Sequence, residues 1–371
     1  MDNFPMTAQF ARQLFPVVAF LLLASLPRAV AGTPHWDLEG VPRVGDSVYS
    51  LGKVAFKSFE ISGIALSRTR AGLFWGIEDA GADLVFAFNS SGELIQTVKI
   101  SGLSSEDLED ISADQDGSLY LADTGTNLNA RDEVSVYRIR EPRAGETAVG
   151  IERRWRLRWP EAGRDCESLV VHGGYGWLVA KIRDDGQRST LARFSLADTN
   201  ELIELEVLGD LDVPTPAAAA DLTPDGDQFA ISTRAGTYSW HVGGDVASAV
   251  GRAPVFSSST PDTKKEGLAF VPQGLLVATE SRDLYLDITP NVIPRTLEPR
   301  LEVQRGTEGP EIFFSASYGV SCVLEYRPRL DQGEWAAVTA DFPGLGMRAK
   351  WRGEVSFWSD AGGYLRLVAS P

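Results

Sequence analysis

The sequence predicts an all-β fold, and three observations support it. A motif recurs along the chain, made of an acidic start, a short apolar strand, a Gly turn and a second apolar strand, and it is clearest in residues 108–123. Segments of strand length are either continuously apolar or alternate between apolar and polar residues, and turns containing Gly, Asp or Asn separate them. No segment between the copies has a helical period, which excludes α/β alternatives.

The spacing of the motif predicts the architecture. If Ser62, Glu109, Glu167, Ala220 and Glu266 are equivalent, the intervals are 47, 58, 53 and 46 residues. Repeats of about 40–50 residues with short strands and Gly turns are typical of β-propeller blades. We therefore predict a five-bladed β-propeller over residues 44–290, with six blades as the alternative. The strand in residues 48–56 is expected to complete the last blade beside residues 284–286.

The two ends of the chain differ from this repeat. Arg12, an apolar run over residues 14–26 and the small-residue pattern of residues 29–31 predict a signal peptide over residues 1–31. An uncleaved membrane anchor is the alternative, but the run is short for a span. We expect a secreted or periplasmic protein with no membrane span in the mature chain. Residues 301–371 read as short strands between turns, which predicts a small β-sandwich.

Charge limits the choice of partner. The 371-residue chain carries a formal net charge of −16 at pH 7. This charge disfavours nucleic acid and is compatible with cations, neutral sugars or cationic partners. Simple solubility is the plainer interpretation. The three histidines lack paired metal-ligand spacing, and Cys166 and Cys322, predicted in different domains, are expected to be buried free thiols.

The predicted site lies at one mouth of the central channel. In a blade the first strand is innermost and antiparallel to the second, so the start of the first lies beside the end of the second. Polar residues occupy both places, and converging carboxylates perturb one another's protonation. The predicted ligand-binding residues are Glu78, Asp110, Asp123, Lys181, Asp221, Arg234 and Glu280. The alternative is that these acids accept hydrogen bonds from backbone N–H groups of neighbouring blades.

A hard cation such as Ca²⁺ prefers several oxygen ligands, which carboxylates and Asn amides supply. The loop of residues 123–131 is the richest local source of them, although it lacks the spacing of an EF-hand. Nucleophilic catalysis has little support, because the chain has no G-x-S-x-G motif. Paired carboxylates suit acid/base chemistry only at separations that a sequence does not give.

Several stretches together resemble a family of secreted bacterial β-propellers, loosely related to esterase-like phytases and to the calcium-dependent lactonase and strictosidine-synthase-like group. The matching stretches are residues 60–65, 107–111, 123–127 with Arg131, 138–142, 165–169, 220–221 with 224–226, and 266–269. In the lactonase-like branch carboxylates and Asn hold a divalent cation at the channel mouth, which implies Glu109, Asn127 and Glu167. With Glu266, the predicted metal ligands are thus Glu109, Asn127, Glu167 and Glu266.

The chain also departs from this family. Residues 78–81 replace an Asn-Asp-Ser-Gly-like turn, and Thr126 stands where relatives often have a second acid. The tail around Tyr326, Trp335 and residues 364–366 resembles small immunoglobulin-like domains of exported proteins. We therefore expect a ligand- or cation-binding module for a small molecule, glycan or protein outside the cytoplasm. A Ca²⁺-dependent hydrolase of a phosphoester, ester or lactone is the alternative, because propellers host many functions.

Overall fold

The computed structural model describes residues 36–55, 60–78, 83–126, 131–181, 189–214, 216–258, 264–289, 299–305, 310–316, 321–329, 334–339, 342–343, 345, 348–350 and 364–370. Within these ranges the only helical element is a single 3₁₀ turn at Val246–Ala249, and all other regular elements are strands. The all-β prediction is confirmed. The predicted signal peptide and Asn127 lie outside the described residues. None of the described segments forms a helix of the length and apolarity needed to cross a membrane.

Five sheets follow one another along the chain, with strands numbered in chain order. Sheet I contains β2 (Ile61–Leu66), β3 (Leu73–Glu78), β4 (Leu84–Asn89), β5 (Leu94–Ser101) and β9 (Ala148–Gly150). Sheet II contains β6 (Leu108–Ala113), β7 (Ser118–Asp123), β8 (Val134–Arg140), β10 (Arg153–Arg158) and β14 (Ile203–Glu204). Sheet III contains β11 (Cys166–His172), β12 (Tyr175–Ala180), β13 (Thr190–Ser195) and β15 (Glu206–Asp210). Sheet IV contains β16 (Ala217–Leu222), β17 (Gln228–Thr233), β18 (Thr237–His241) and β19 (Phe256–Ser258).

Sheet V joins the two ends of this region. It contains β20 (Lys265–Val271), β21 (Gly274–Thr279), β22 (Asp283–Asp287) and β1 (Val48–Lys53). β1 pairs antiparallel with β22, with Tyr49 opposite Leu286. The predicted pairing of the first strand with the last strand of the repeat region is confirmed.

The first strands of the five sheets lie against one another. β2 contacts β6 and β20, β11 contacts β6 and β16, and β16 contacts β20. The series therefore returns to its starting strand. Flanked on both faces, these strands are buried almost throughout, as in β2 and β6, and do not alternate between buried and exposed residues. β5 lies further out and exposes most of its side chains.

A β-bulge recurs near the start of every first strand. The register with the second strand shifts between Ile61 and Gly63, Leu108 and Asp110, Cys166 and Leu169, Ala217 and Ala219, and Lys265 and Gly267. The extra residues are Ser62, Glu109, Glu167 or its neighbour Ser168, Ala218 and Glu266. The equivalence assigned to Ala220 is therefore wrong by two residues. A bulge leaves a residue outside the ladder and re-aims its side chain.

The C-terminal part consists of two small sheets. One contains β23 (Arg300–Arg305), β24 (Pro310–Ser315) and β28 (Arg348–Lys350), and the other β25 (Ser321–Arg327), β26 (Ala336–Ala337), β27 (Phe342–Pro343) and β29 (Tyr364–Ser370). They share one apolar cluster that includes Phe314 and Leu324. Cys322 lies in this cluster and is buried, and Cys166 is a buried free thiol, as predicted.

Candidate functional site

Three carboxylates from two neighbouring sheets converge at the bulges of β6 and β11. One oxygen each of Glu109, Asp165 and Glu167 lies within 4.8 Å of the others, and these residues are called the carboxylate cluster below. Asp165 and Glu167 flank Cys166, whose thiol pKa burial raises well above its usual range. Asp165 directly precedes β11 and Glu167 lies within its bulge, and the two carboxylates lie together.

A lysine at the end of β12 enters the cluster. The Lys181 ammonium donates to Glu167 Oε1, and the two side chains are 15% and 6% exposed. The Lys181 backbone N–H donates to the Asp165 carbonyl at 2.7 Å. Since β11 and β12 are antiparallel, the start of one strand meets the end of the other, as predicted.

Polar groups from sheets I and II complete the surroundings. The Ser62 hydroxyl lies 3.5 Å from Glu109 Oε2, and the Thr126 backbone N–H donates to Asp165 Oδ1 at 3.0 Å. Gly125 packs so closely that a Cβ there would overlap Glu109 and Asp107. The loop after β7 thus lies against the carboxylates, and a larger residue at position 125 would displace the side-chain ends of Glu109 and Asp107.

One oxygen of the cluster lacks a donor. Glu167 is 4% exposed, and its Oε2 has no hydrogen-bond partner among the described residues. Burying a carboxylate oxygen without a donor is costly. A cation or an ordered water would remove that cost, and the arrangement of acids favours a cation.

Asp123, a predicted ligand, stabilises the adjacent loop. Its Oδ1 accepts the backbone N–H groups of Glu106 and Asp107 at 3.1 and 3.0 Å, and Arg131 Nη1 lies 2.9 Å from the same oxygen. Burial by itself lowers the Arg131 pKa, but the Asp123 hydrogen bond and charge outweigh it, so that this pKa is raised. These contacts hold the two chain segments that flank Gly125.

Two other predicted ligands lie between first strands. Asp110 Oδ2 accepts the N–H of Leu169 at 2.8 Å, and Asp221 Oδ2 accepts the N–H of Phe270 at 2.7 Å. Burial raises the pKa of Asp110 well above its usual range and that of Asp221 to about 6. The alternative given for these acids, hydrogen bonds to the backbone of the neighbouring sheet, describes both contacts.

The remaining predicted acids lie around sheet V. Lys264 Nζ is 2.5 Å from Glu280 Oε2, with side chains 63% and 21% exposed. That hydrogen bond is the main cause of a raised Lys264 pKa, and the charges of Glu60 and Glu266 add to it. Glu266, a predicted metal ligand, thus lies near Lys264 and is not one of the three acids of the carboxylate cluster.

Glu78 and Arg234, two further predicted ligands, lie at or just after the ends of second strands. Glu78 ends β3 opposite Ile61, burial raises its pKa, and its Oε1 has no partner in the described part of the chain. Arg234 is exposed, and its carbonyl, with that of Thr233, accepts from the buried Lys265 ammonium at 3.3 and 3.0 Å.

Asp165 is the acid that the predicted ligand set lacks. Its position two residues before Glu167, at the start of an apolar strand, was a usable signal. The Thr126 N–H had no signal in the sequence, since a backbone group is positioned only by the fold. Comparison of the chain with protein-family models and with curated proteins found no match.

Proposed function

We propose that residues 44–290 form a five-bladed β-propeller with the carboxylate cluster at one mouth of its channel, followed by a β-sandwich over residues 301–371. The support is the order of contacts among first strands, which passes through five sheets and returns to β2. The pairing of β1 with β22 supports the same closure. The apolar cluster shared by the two C-terminal sheets supports the sandwich.

The proposed function is cation binding at the carboxylate cluster, in an exported protein. The observation that carries it is the approach of three carboxylate oxygens to within 4.8 Å. Two oxygens on one Ca²⁺, at about 2.3–2.6 Å from the ion, lie no more than about 5 Å apart. The oxygen-only donor set suits a hard cation such as Ca²⁺, and Glu109, Asp165 and Glu167 would hold it.

The bound cation would in turn contact an oxygen of a ligand from outside the cytoplasm, which is a small molecule, a glycan or a protein. The carboxylates hold the ion from the side of sheets II and III. The cluster combines residues from β6 and β11, so that a ligand would contact more than one blade.

Glu78 favours a second candidate, a Ca²⁺-dependent hydrolase of a phosphoester, ester or lactone. When bound, a cation supplies a Lewis acid for a substrate oxygen. Glu78 is buried, its pKa is raised and its Oε1 is unpartnered, which are the properties of a general acid or base. It ends β3 opposite Ile61, next to Ser62, which contacts Glu109.

Calorimetric titration with Ca²⁺ after EDTA treatment tests the proposal. We expect the unmodified chain to bind one ion, and Asp165→Asn/Glu167→Gln to weaken binding at least about tenfold because two anionic ligands are lost. Asp116→Asn, an exposed acid in the turn between β6 and β7, is the control and should bind normally. An unmodified chain that is indifferent to Ca²⁺ and EDTA in calorimetry and in melting contradicts the proposal.

A panel of phosphoester, ester and lactone substrates separates the two candidates. Turnover that requires the cation and is lost in Glu78→Gln, with cation affinity retained, establishes the hydrolase. Cation binding with no turnover of any panel member favours the binding module.

A further inference from the structure

Two lysine–glutamate pairs lie near the predicted mouth, and they differ in burial. Lys181 and Glu167 are 15% and 6% exposed, whereas Lys264 and Glu280 are 63% and 21% exposed. A pair in water is screened and contributes little, while a buried charge acts at low dielectric. Only the Lys181 ammonium therefore acts strongly on the carboxylates beside it.

Lys181 is held in place by its own backbone. It follows β12 directly, and its N–H donates to the carbonyl of Asp165, itself a member of the carboxylate cluster. Its ammonium occupies one oxygen of Glu167 while the other, Oε2, has no partner in the described residues. The three acids of the carboxylate cluster thus have one positive charge of the protein beside them, the Lys181 ammonium.

We propose that Lys181 is a built-in counter-ion that sets the cation affinity of the carboxylate cluster. The ammonium compensates part of the negative charge in the empty site, and it repels an incoming divalent ion or must release Glu167 Oε1 to it. The site then fills only at high cation concentration, in the range of about 10⁻⁴–10⁻³ M that is typical of extracellular calcium modules. This inference rests on the proposed cation site and adds the residue that determines its affinity.

Calorimetric titration with Ca²⁺ of the full chain and three variants tests it. Lys181→Met removes the charge and keeps much of the side-chain volume, and it should tighten Ca²⁺ binding by about tenfold or more, since a unit charge near the ion is removed at low dielectric. Lys264→Met is the matched control at the exposed pair and should leave the affinity unchanged. Lys181→Gln, which can still donate to Glu167, keeps the test valid if Lys181→Met does not fold.

Melting in EDTA provides a second measurement. Without the ammonium the three carboxylates repel one another, so the Lys181 variants should melt below the unmodified chain in EDTA and gain more from Ca²⁺ than it does. Lys264→Met should show neither effect.

The outcomes separate this inference from the proposed function. If the unmodified chain binds Ca²⁺ and the Lys181 variants bind it equally or more weakly, the counter-ion role is overturned and the cation site stands. If only the Lys181 variants bind, the counter-ion role is supported and cation binding by the native chain is overturned. If no variant binds, both are overturned.

Discussion

Glu109 and Asp110 are consecutive acids in β6 with opposite surroundings. Glu109 is the extra residue of the bulge, and its carboxylate meets those of Asp165 and Glu167. Asp110 returns to the ladder opposite Ala122, and its carboxylate accepts the N–H groups of Leu169 and Ile111. The bulge thus separates an acid that faces other acids from one whose oxygens accept from the backbone.

Sheet IV has an acid that accepts from the neighbouring strand but no acid at its bulge. Asp221 in β16 accepts the N–H of Phe270 in sheet V, as Asp110 accepts that of Leu169 in sheet III. The bulge position of β16, however, holds Ala218. An acid that accepts from a neighbouring first strand can therefore be present without an acid at the bulge. This indicates that acids in these two positions serve different purposes.

The largest expected effect tests the structural side of this comparison. Asp110→Ala removes the acceptor of two buried N–H groups, each of which costs about 1–3 kcal/mol when left unpaired. We expect a loss of about 2–5 kcal/mol in the free energy of unfolding, measured in urea. Glu109→Ala, one residue away, should change it by less than about 1 kcal/mol because it removes one of several like charges. Equal losses of unfolding free energy in the two variants would contradict the different roles assigned to Asp110 and Glu109.

Asp221 should make stability depend on pH. Burial, opposed in part by the charge of Arg68, raises its pKa to about 6 from the ordinary aspartate value of 3.8. The folded chain therefore holds this proton more tightly than the unfolded chain does. The free energy of unfolding should fall as pH rises from about 4 to about 6, by up to about 3 kcal/mol.

Asp221→Asn removes this titration while its amide oxygen can still accept from Phe270. Urea unfolding at pH values between 4 and 7 should then give a flatter profile than that of the unmodified chain. The exposed Asp116→Asn should keep the original profile. A profile unchanged by Asp221→Asn would mean that another group produces the pH dependence.

Two glycines give the smallest expected changes and separate the two environments again. An added Cβ at Gly63 would lie 2.7 Å from Asp110 Oδ1 and 2.9 Å from Asp110 Cα, and backbone cannot move aside, so Gly63→Ala should cost about 1–3 kcal/mol of unfolding free energy. At Gly125 the obstacles are the side-chain ends of Glu109 and Asp107. Gly125→Ala should therefore cost less stability but weaken Ca²⁺ binding severalfold in calorimetry. A larger loss of stability in Gly125→Ala than in Gly63→Ala would mean that the side chains of the carboxylate cluster cannot move aside and that the backbone of β6 can.

The strands were predictable because their signals are local. Alternating or apolar segments end at turns such as Asp116-Gly117. Gly117 has a φ of 81°, a conformation that favours a residue without a Cβ. The partner of β1 was predictable because the last copy of the repeat in the sequence is one strand short. In both cases the pattern in the chain determines the structure directly.

The site was less predictable because a bulge reverses the side of every following residue. The bulge in β16 falls within four consecutive alanines, residues 217–220, so nothing in the side chains marks it, and the fourth copy was misplaced by two residues. Likewise, no pattern of residues distinguishes Glu109 from Asp110 in the sequence. Which of two adjacent acids accepts from a neighbouring strand depends on contacts between residues about 60 positions apart, such as Asp110 and Leu169.

The pairing of β1 with β22 also determines when the chain can finish folding. Ser47 and Asp287, joined by a hydrogen bond beside that pairing, are 240 residues apart. A ribosome adding about 5–20 residues per second would make the partner of β1 roughly 10–50 s after β1 itself. Throughout that interval β1 is a strand without its neighbour, open to pairing with other chains. Safe biosynthesis of this protein therefore depends on keeping its earliest strand unaggregated until its latest sheet appears.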